Sequence, residues 1–301
     1  MREARARRAV AGRDGGARRR GGLFALTALL VVAPGVAGCR SGDDIKNGPV
    51  YTDSVSAPAT PYSGPLYVPV RAKGATGVDA SGASGRALEC DGRMYSGGRS
   101  DPWSRGDGGS TPVEGLLAYF DMEQPDVPRS GYRVERREHD RVLFSYDVAG
   151  RTKVAVIVAK DRPDRPGWGP ETSASCDPSE FPAKVAESLG YEVWTDRDGH
   201  RLPVTEVRSD TGPGHCGWES AHFLELDGKR EYASDPHGVL PSEMLTAPYR
   251  ANVKLPADAH DTGYRFRGRQ LWLTDDRSTA YVRVDGRVQA WPEVKEGVAC
   301  Q

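Results

Sequence analysis

The sequence predicts an α+β protein, an N-terminal helix packed on an antiparallel meander followed by a small mostly-β domain. Three observations carry this. Thr111-Pro112-Val113-Glu114 is a helix start, with Leu116, Leu117 and Phe120 supplying an apolar face behind it. The run Val154-Ala155-Val156-Ile157-Val158 is apolar at every position, as a strand buried on both faces requires. Beyond Tyr191 the chain breaks into short alternating runs separated by Asp-Gly pairs, the signature of hairpins.

At the N-terminus, eight arginines precede Leu23, an apolar run reaches Val36, and Ala37-Gly38-Cys39 follows. This is the layout of an export signal, with an apolar part too short to span a bilayer comfortably. The ending Val36-Ala37-Gly38-Cys39 resembles the lipobox of bacterial lipoprotein precursors, an aliphatic residue and two small ones before cysteine. The resemblance covers roughly the first 39 residues. It implies a signal peptide over 1–38, diacylation of Cys39 and a lipid-anchored chain on the extracytoplasmic face of the membrane. Two acyl chains at about 0.8 kcal/mol per buried CH₂ make such an anchor nearly permanent. An ordinary cleaved signal with an incidental Cys39, and a retained membrane span, are the competing readings. Arg19-Arg20 before Leu23-Phe24 hints at twin-arginine export, and the export route stays open. The Arg, Ala and Gly bias, and the look of the folded part, are similar to secreted proteins of actinobacteria.

Removing 38 of 301 residues leaves 263, and removing eight of 41 basic and two of 42 acidic residues leaves 33 and 40, a net charge of −7. That balance argues against a general nucleic-acid binder, which needs a basic face. Apart from Cys39, four cysteines remain: Cys90, Cys176, Cys216 and Cys300. In an exported protein an even count reads as two disulfides, with three connectivities open. The spacings of 86 and 84 residues favour Cys90–Cys176 with Cys216–Cys300, one staple per domain.

Residues 39–85 read as a flexible tether of Gly, Ser, Ala, Pro and Asp, including the segment Tyr62 to Val68. The α+β domain is expected over 86–178, with the helix from Thr111 to Met122 and strands at Tyr132–Arg136, Val142–Val148, Lys153–Ala159 and Trp168–Cys176. Ala149-Gly150 supplies the tight turn between the second and third strands. Asp177-Pro178-Ser179-Glu180 opens a connecting helix over 179–190, stopped by Gly190. The mostly-β domain covers 191–301, with strands at Tyr191–Thr195, Leu202–Val207, Trp218–Leu226, Gln270–Leu273 and Ala280–Val284. The offset-136 echo between Val148-Ala149-Gly150-Arg151 and Val284-Asp285-Gly286-Arg287 reads as reuse of a good turn.

No motif reaches a named reaction. Gly212 to Gly217 contains G-x-G-x-x-G, but Pro213 interrupts it and a strand rather than a helix follows. His215, Glu219 and His222, with Asp235 or His237 nearby, are candidate metal ligands by residue type. Alternation along Trp218–Leu226 puts Glu219 and His222 on opposite faces, and an oxidised Cys216 is lost as a ligand. Asp258-Ala259-His260-Asp261 reads as a solvated loop, and Glu135 and Glu138 as charged surface. Among the tryptophans, Trp103 in a Gly/Asp-rich loop is the candidate exposed stacking platform. The expectation is therefore a non-enzymatic binding or interaction module at the cell envelope, with no cofactor. Its partners are the membrane and an envelope protein or cell-wall glycan. An envelope hydrolase or metal enzyme centred on His215, Glu219 and His222 is the alternative.

Overall fold

The computed structural model describes residues 61–69, 77–100 and 103–295. The signal peptide, Cys39, most of the tether and Cys300 lie outside the described residues. The first lobe is a five-stranded antiparallel sheet built from β1 (Met94–Arg99), β2 (Tyr132–Arg137), β3 (Arg141–Val148), β4 (Arg151–Arg162) and β5 (Arg165–Cys176), in the order β1-β5-β4-β3-β2. The all-apolar run lies in β4, the middle strand, where every residue from Thr152 to Ala159 is buried. Ala149 and Gly150 both have positive φ, 52° and 77°, which gives the β3–β4 hairpin the twist its strands need.

Period-2 alternation then sorts two cores. Phe144, Val154, Val156 and Val158 face the helix α2 (Pro112–Glu123), which contributes Leu116, Tyr119 and Phe120. Thr111 caps α2 by accepting from the Glu114 amide at 3.2 Å, and Glu114 reaches back to the Ser110 amide and hydroxyl. Leu143, Ala155 and Ile157 point to the other face, where Leu66, Ala83 and Ala87 cover them.

Over 61–69 and 77–85, the described part of the tether expected over 39–85, that second cover is a correction. Residues 78–87 form α1 (Val78–Ala87), bent at Gly82, with Ser81, Gly82, Ala83, Ser84 and Gly85 buried. Small side chains let the backbone lie directly on the sheet. Ser84 Oγ donates to the Thr172 carbonyl at 2.8 Å, and a Cβ at Gly97 of β1 would strike Ser81. Such packing has no hydrophobic periodicity, which is why it reads as linker. Residues 61–69 run as a strap over the sheet. Glu135 accepts from the Tyr62 amide at 2.6 Å, Glu138 accepts from the Leu66 amide at 3.1 Å, and Arg136 donates to the Ser63 carbonyl at 2.9 Å. Glu135 is thus no surface group: its side chain is 1% exposed and is also hydrogen-bonded by Ser145 and paired with Arg133.

The connecting helix is broken. Asp177 caps a 3₁₀ turn, Pro178–Glu180, Pro182 interrupts, and α3 (Ala183–Ser188) restarts the chain. The second lobe holds two four-stranded antiparallel sheets. One comprises β6 (Glu192–Val193), β7 (Val207–Thr211), β8 (His222–Leu226) and β9 (Arg230–Ser234); the other comprises β10 (His260–Phe266), β11 (Arg269–Leu273), β12 (Thr279–Val284) and β13 (Arg287–Pro292). The strand expected over 202–207 starts only at Val207, because Pro203 heads a turn that takes the Glu206 and Val207 amides. The strand expected from Trp218 starts at His222, after a 3₁₀ turn at Gly214–Cys216. Asp227-Gly228 and Asp285-Gly286 make the β8–β9 and β12–β13 turns, all four residues at positive φ.

The two sheets meet at both edges. Thr195 and Arg265 exchange two backbone hydrogen bonds of 2.8 Å, and the Val294 amide donates to Glu231 at 2.7 Å. The result is a flattened barrel filled by Trp194, Leu224, Tyr232, Leu271, Val282 and Trp291. Among the described residues, no helix is long and apolar enough to cross a membrane.

If the strap is part of the fold, Leu66→Ala will destabilise the protein by about 2–4 kcal/mol, because Leu66 is 1% exposed and its loss opens a cavity over Ile157. Urea unfolding followed by tryptophan fluorescence reads this; a change below about 0.5 kcal/mol, the usual size for a surface site, would return the segment to the tether.

Candidate binding cleft

The start of β1, four residues after Cys90, and the end of β5 at Cys176 deliver the cleft. Met94 of β1 pairs with Cys176 of β5, and the disulfide Cys90–Cys176 closes over that pair with a Cα–Cα distance of 5.3 Å. Each cysteine is followed by an aspartate, Asp91 and Asp177, so the cross-link projects two acids from one sheet end. Opposite stand Arg201, Pro203, Thr205 and Glu206 from the β6–β7 connection and Asp227 from the β8–β9 turn. With Gly92, Arg93, Met94, Ser179 and Glu180, they enclose an open cleft of about 930 Å³ between the lobes.

The floor is a buried ion cluster. Lys153, at the start of β4, has a side chain only 3% exposed, and its ammonium donates to the Glu89 carbonyl (2.9 Å), Asp91 (3.0 Å) and Glu180 (2.6 Å). Three donors thus find three acceptors, the condition for keeping a lysine charged below the surface. Glu180 passes the restraint on, accepting from the Asp91 and Gly92 amides at 2.8 and 3.1 Å. Hydrogen bonds from Lys153, then Arg151, hold the Asp91 carboxyl below its usual range.

Asp177 is the joint between the lobes. It is 4% exposed, and Oδ1 accepts from the Ser179 amide (2.8 Å) and, across the cleft, from the Val204 amide (3.0 Å). Oδ2 is buried and has no hydrogen-bond donor. Arg201 donates to the Phe181 carbonyl; burial lowers its pKa, and the charge of Asp177 opposes that drop.

The sequence candidates fall elsewhere. Cys216 is disulfide-bonded and so is not available as a ligand. His215, Glu219 and His237 are exposed, whereas His222 points into one end of the barrel. There its Nε2 lies 3.1 Å from Glu192 and 3.3 Å from Arg269. Among the described residues, the groups with three ligand atoms within 4.8 Å of one another are Cys90-Cys176-Glu180, two of them consumed by the disulfide, and Asp196-Asp198-His200. None of His215, Glu219, His222 and His237 belongs to either group. Trp103 is not a stacking platform: it is 3% exposed and packs so closely on Gly169 that a Cβ there would strike its ring. His260 stands exposed, while Asp261 is tied to Arg265 at 2.6 Å rather than to the histidine.

Lys153, Asp177 and Glu180 went unnoticed as site residues, because a lysine heading an apolar strand reads as its solvent end and Asp177 reads as a helix cap. The available signal was the Cys-Asp pair occurring at both Cys90 and Cys176. No family model matches the chain, and no curated protein or solved structure does.

Lys153→Met will leave Glu180, whose side chain is 8% exposed, as a buried charge without its counter-ion. The expected loss is about 3–5 kcal/mol in urea unfolding, much of it recovered when Glu180→Gln is added. At the barrel end, burial alone would raise Glu192, but hydrogen bonds from His222 and Ser209 and the charge of Arg269 carry it below its ordinary 4.5. A depressed carboxyl stabilises the fold above its unfolded value and loses that contribution as pH falls through the folded value. Wild type should therefore lose stability as pH falls below about 4.5, and Glu192→Gln should flatten that part of the curve, as unfolding midpoints across the acid range will report.

Proposed function

We propose that the chain is a membrane-anchored extracytoplasmic lipoprotein whose folded part is a non-enzymatic binding module of the cell envelope. One observation carries the reading: the basic region, the apolar run and Val36-Ala37-Gly38-Cys39 follow one another in working order within the first 39 residues. The oxidised Cys90–Cys176 pair is consistent with that compartment, since such cross-links persist outside the reducing cytosol. The open cleft between the lobes supports binding rather than catalysis. Lys153 is spent on fixed carboxylates, and among the described residues neither hydroxyl that lines the cleft, Ser179 or Thr205, is hydrogen-bonded to a base. The hydrolase alternative gains nothing from His215, Glu219 and His222, which do not converge among the described residues. The partners proposed are the membrane, through Cys39, and an envelope protein or cell-wall glycan.

Cell fractionation and intact mass test the anchor. Wild type should sit in the membrane fraction with a diacylglyceryl mass on Cys39. Cys39→Ser should remove that mass and block processing before residue 39. A Cys39→Ser chain processed and retained like wild type would sink the reading.

A further inference from the structure

Outside the lining of the cleft, the lobes also meet at two tyrosines. Tyr95, on the edge strand β1, and Tyr191, which leads into β6, bring their hydroxyls to 3.4 Å, with ring centroids 6.2 Å apart and planes crossed at 85°. The two residues are 96 positions apart in the chain. Hydroxyl pairs bond at about 2.5–3.0 Å, so this contact is too long to contribute much stability. It does set the two hydroxyl-bearing ring edges side by side. Both residues are partly exposed, within reach of a small solute. Tyr132 and Tyr146 form another close pair at 5.9 Å, but Tyr132 is 0% exposed and sealed in the core.

The position of the pair decides what a bond between the rings does. β1 is tied to β5 by the Cys90–Cys176 disulfide near its start. β6 is held to β7 by two residue pairs, the shortest ladder of the second lobe. A link from Tyr95 to Tyr191 therefore joins the covalently fixed edge of the first sheet to the most weakly laddered strand of the barrel. Burial, then the neighbouring Tyr95 hydroxyl, raises the Tyr191 hydroxyl above the ordinary phenol range. It stays protonated, and its proton leaves together with an electron rather than before it.

We propose that Tyr95 and Tyr191 are a site of oxidative modification, coupling into a dityrosine that locks the two lobes together. The co-reactant is a one-electron oxidant, two equivalents per link, of the kind a peroxide-fed haem enzyme generates. Each phenol gives up one electron and one proton, leaving a radical shared between its oxygen and the ring carbons beside it. Two such carbons, one from each ring, join in a new carbon–carbon bond. Their hydrogens then move to the oxygens, so both hydroxyls are restored. In balance, two C–H bonds break, one C–C bond forms, and two electrons and two protons are released. The link closes a span of 96 residues in the unfolded chain, and the freedom so removed makes the linked protein resist unfolding. The site depends neither on the anchor nor on what the cleft binds.

Photo-oxidation of the full chain in detergent, with a ruthenium tris-bipyridyl complex and persulfate, tests it. The expected product is a monomer lighter by two hydrogens, whose digest contains the Tyr95 peptide joined to the Tyr191 peptide and fluoresces as dityrosine. Its yield should not depend on protein concentration. Tyr95→Phe removes one of the phenols and should abolish the joined peptide. Tyr191→Phe should do the same, so the loss can be read even if one variant fails to fold. Urea unfolding of the linked protein should show a higher midpoint than Tyr95→Phe treated identically. Absence of the joined peptide, under light that dimerises free tyrosine, overturns the proposal. So does dityrosine formed undiminished in both Phe variants, Tyr95 linked only between copies, or a link that leaves the midpoint unchanged.

Discussion

The covalent link between Cys90 and Cys176 is the constraint from which the rest of the first lobe takes its bearings. It ties the chain entering β1 to the end of β5, across 86 residues, and so fixes the register of the sheet's outermost pair. Closing a loop of that length contributes on the order of 4–5 kcal/mol by chain entropy. It also decides where charge goes. Both residues that follow the cysteines are acids; Lys153 of the central strand pairs with the first, Asp91, and backbone amides hold the second, Asp177. The cleft floor follows from having a disulfide, two acids and a strand end at one point.

Charge is treated in opposite ways at the two ends of the molecule. At the cleft floor, Lys153 meets Asp91 and Glu180 with all its donors used. At the mouth of the barrel, Glu192 is shared by Ser209, His222 and Arg269, and Ser209 in turn accepts from Trp194. Buried polar clusters of this kind are tolerated only when their members are satisfied. Asp177 departs from that pattern at one atom, since its Oδ1 accepts two amides while its Oδ2 is buried without a donor.

The sequence was most legible where one physical signal dominated. The capped start of α2, the apolar run of β4 and the Asp-Gly turns each correspond to an observed element. Legibility failed where two signals competed. The Ala80 to Gly85 stretch has linker composition, yet its small size is what lets α1 lie against the sheet. Pro182 is compatible with a helix's first turn, but here it divides the segment in two. The edge strands β1, β9 and β10 lack clean alternation because glycine, charge and a register shift interrupt them, so the sequence pattern left them unassigned. Trp103 was misread for the opposite reason: its polar, glycine-rich neighbours indicated a surface loop, whereas Gly169 leaves room for the ring to be buried. The cleft was illegible because it depends on which cysteines pair, and pairing is a property of three dimensions.

The barrel of the second lobe is closed by unequal means. Apart from the two-pair ladder of β6 with β7, its interior pairs run in ladders of four to six residue pairs, such as β12 with β13, whereas the seams rest on isolated bridges at Thr195–Arg265 and Tyr232–Glu293. A barrel of this kind breathes along its seams before its ladders part, so amide exchange with solvent deuterium begins at Thr195, Arg265 and Val294. The seam at Thr195 lies between Trp194, buried in the barrel core, and the turn bonded at Asp196 to His200. Opening it therefore loosens the β6–β7 connection that carries Arg201 and Val204 into the cleft. The lobe that looks most self-contained thus has its softest line next to Asp177, an acid that both lobes touch.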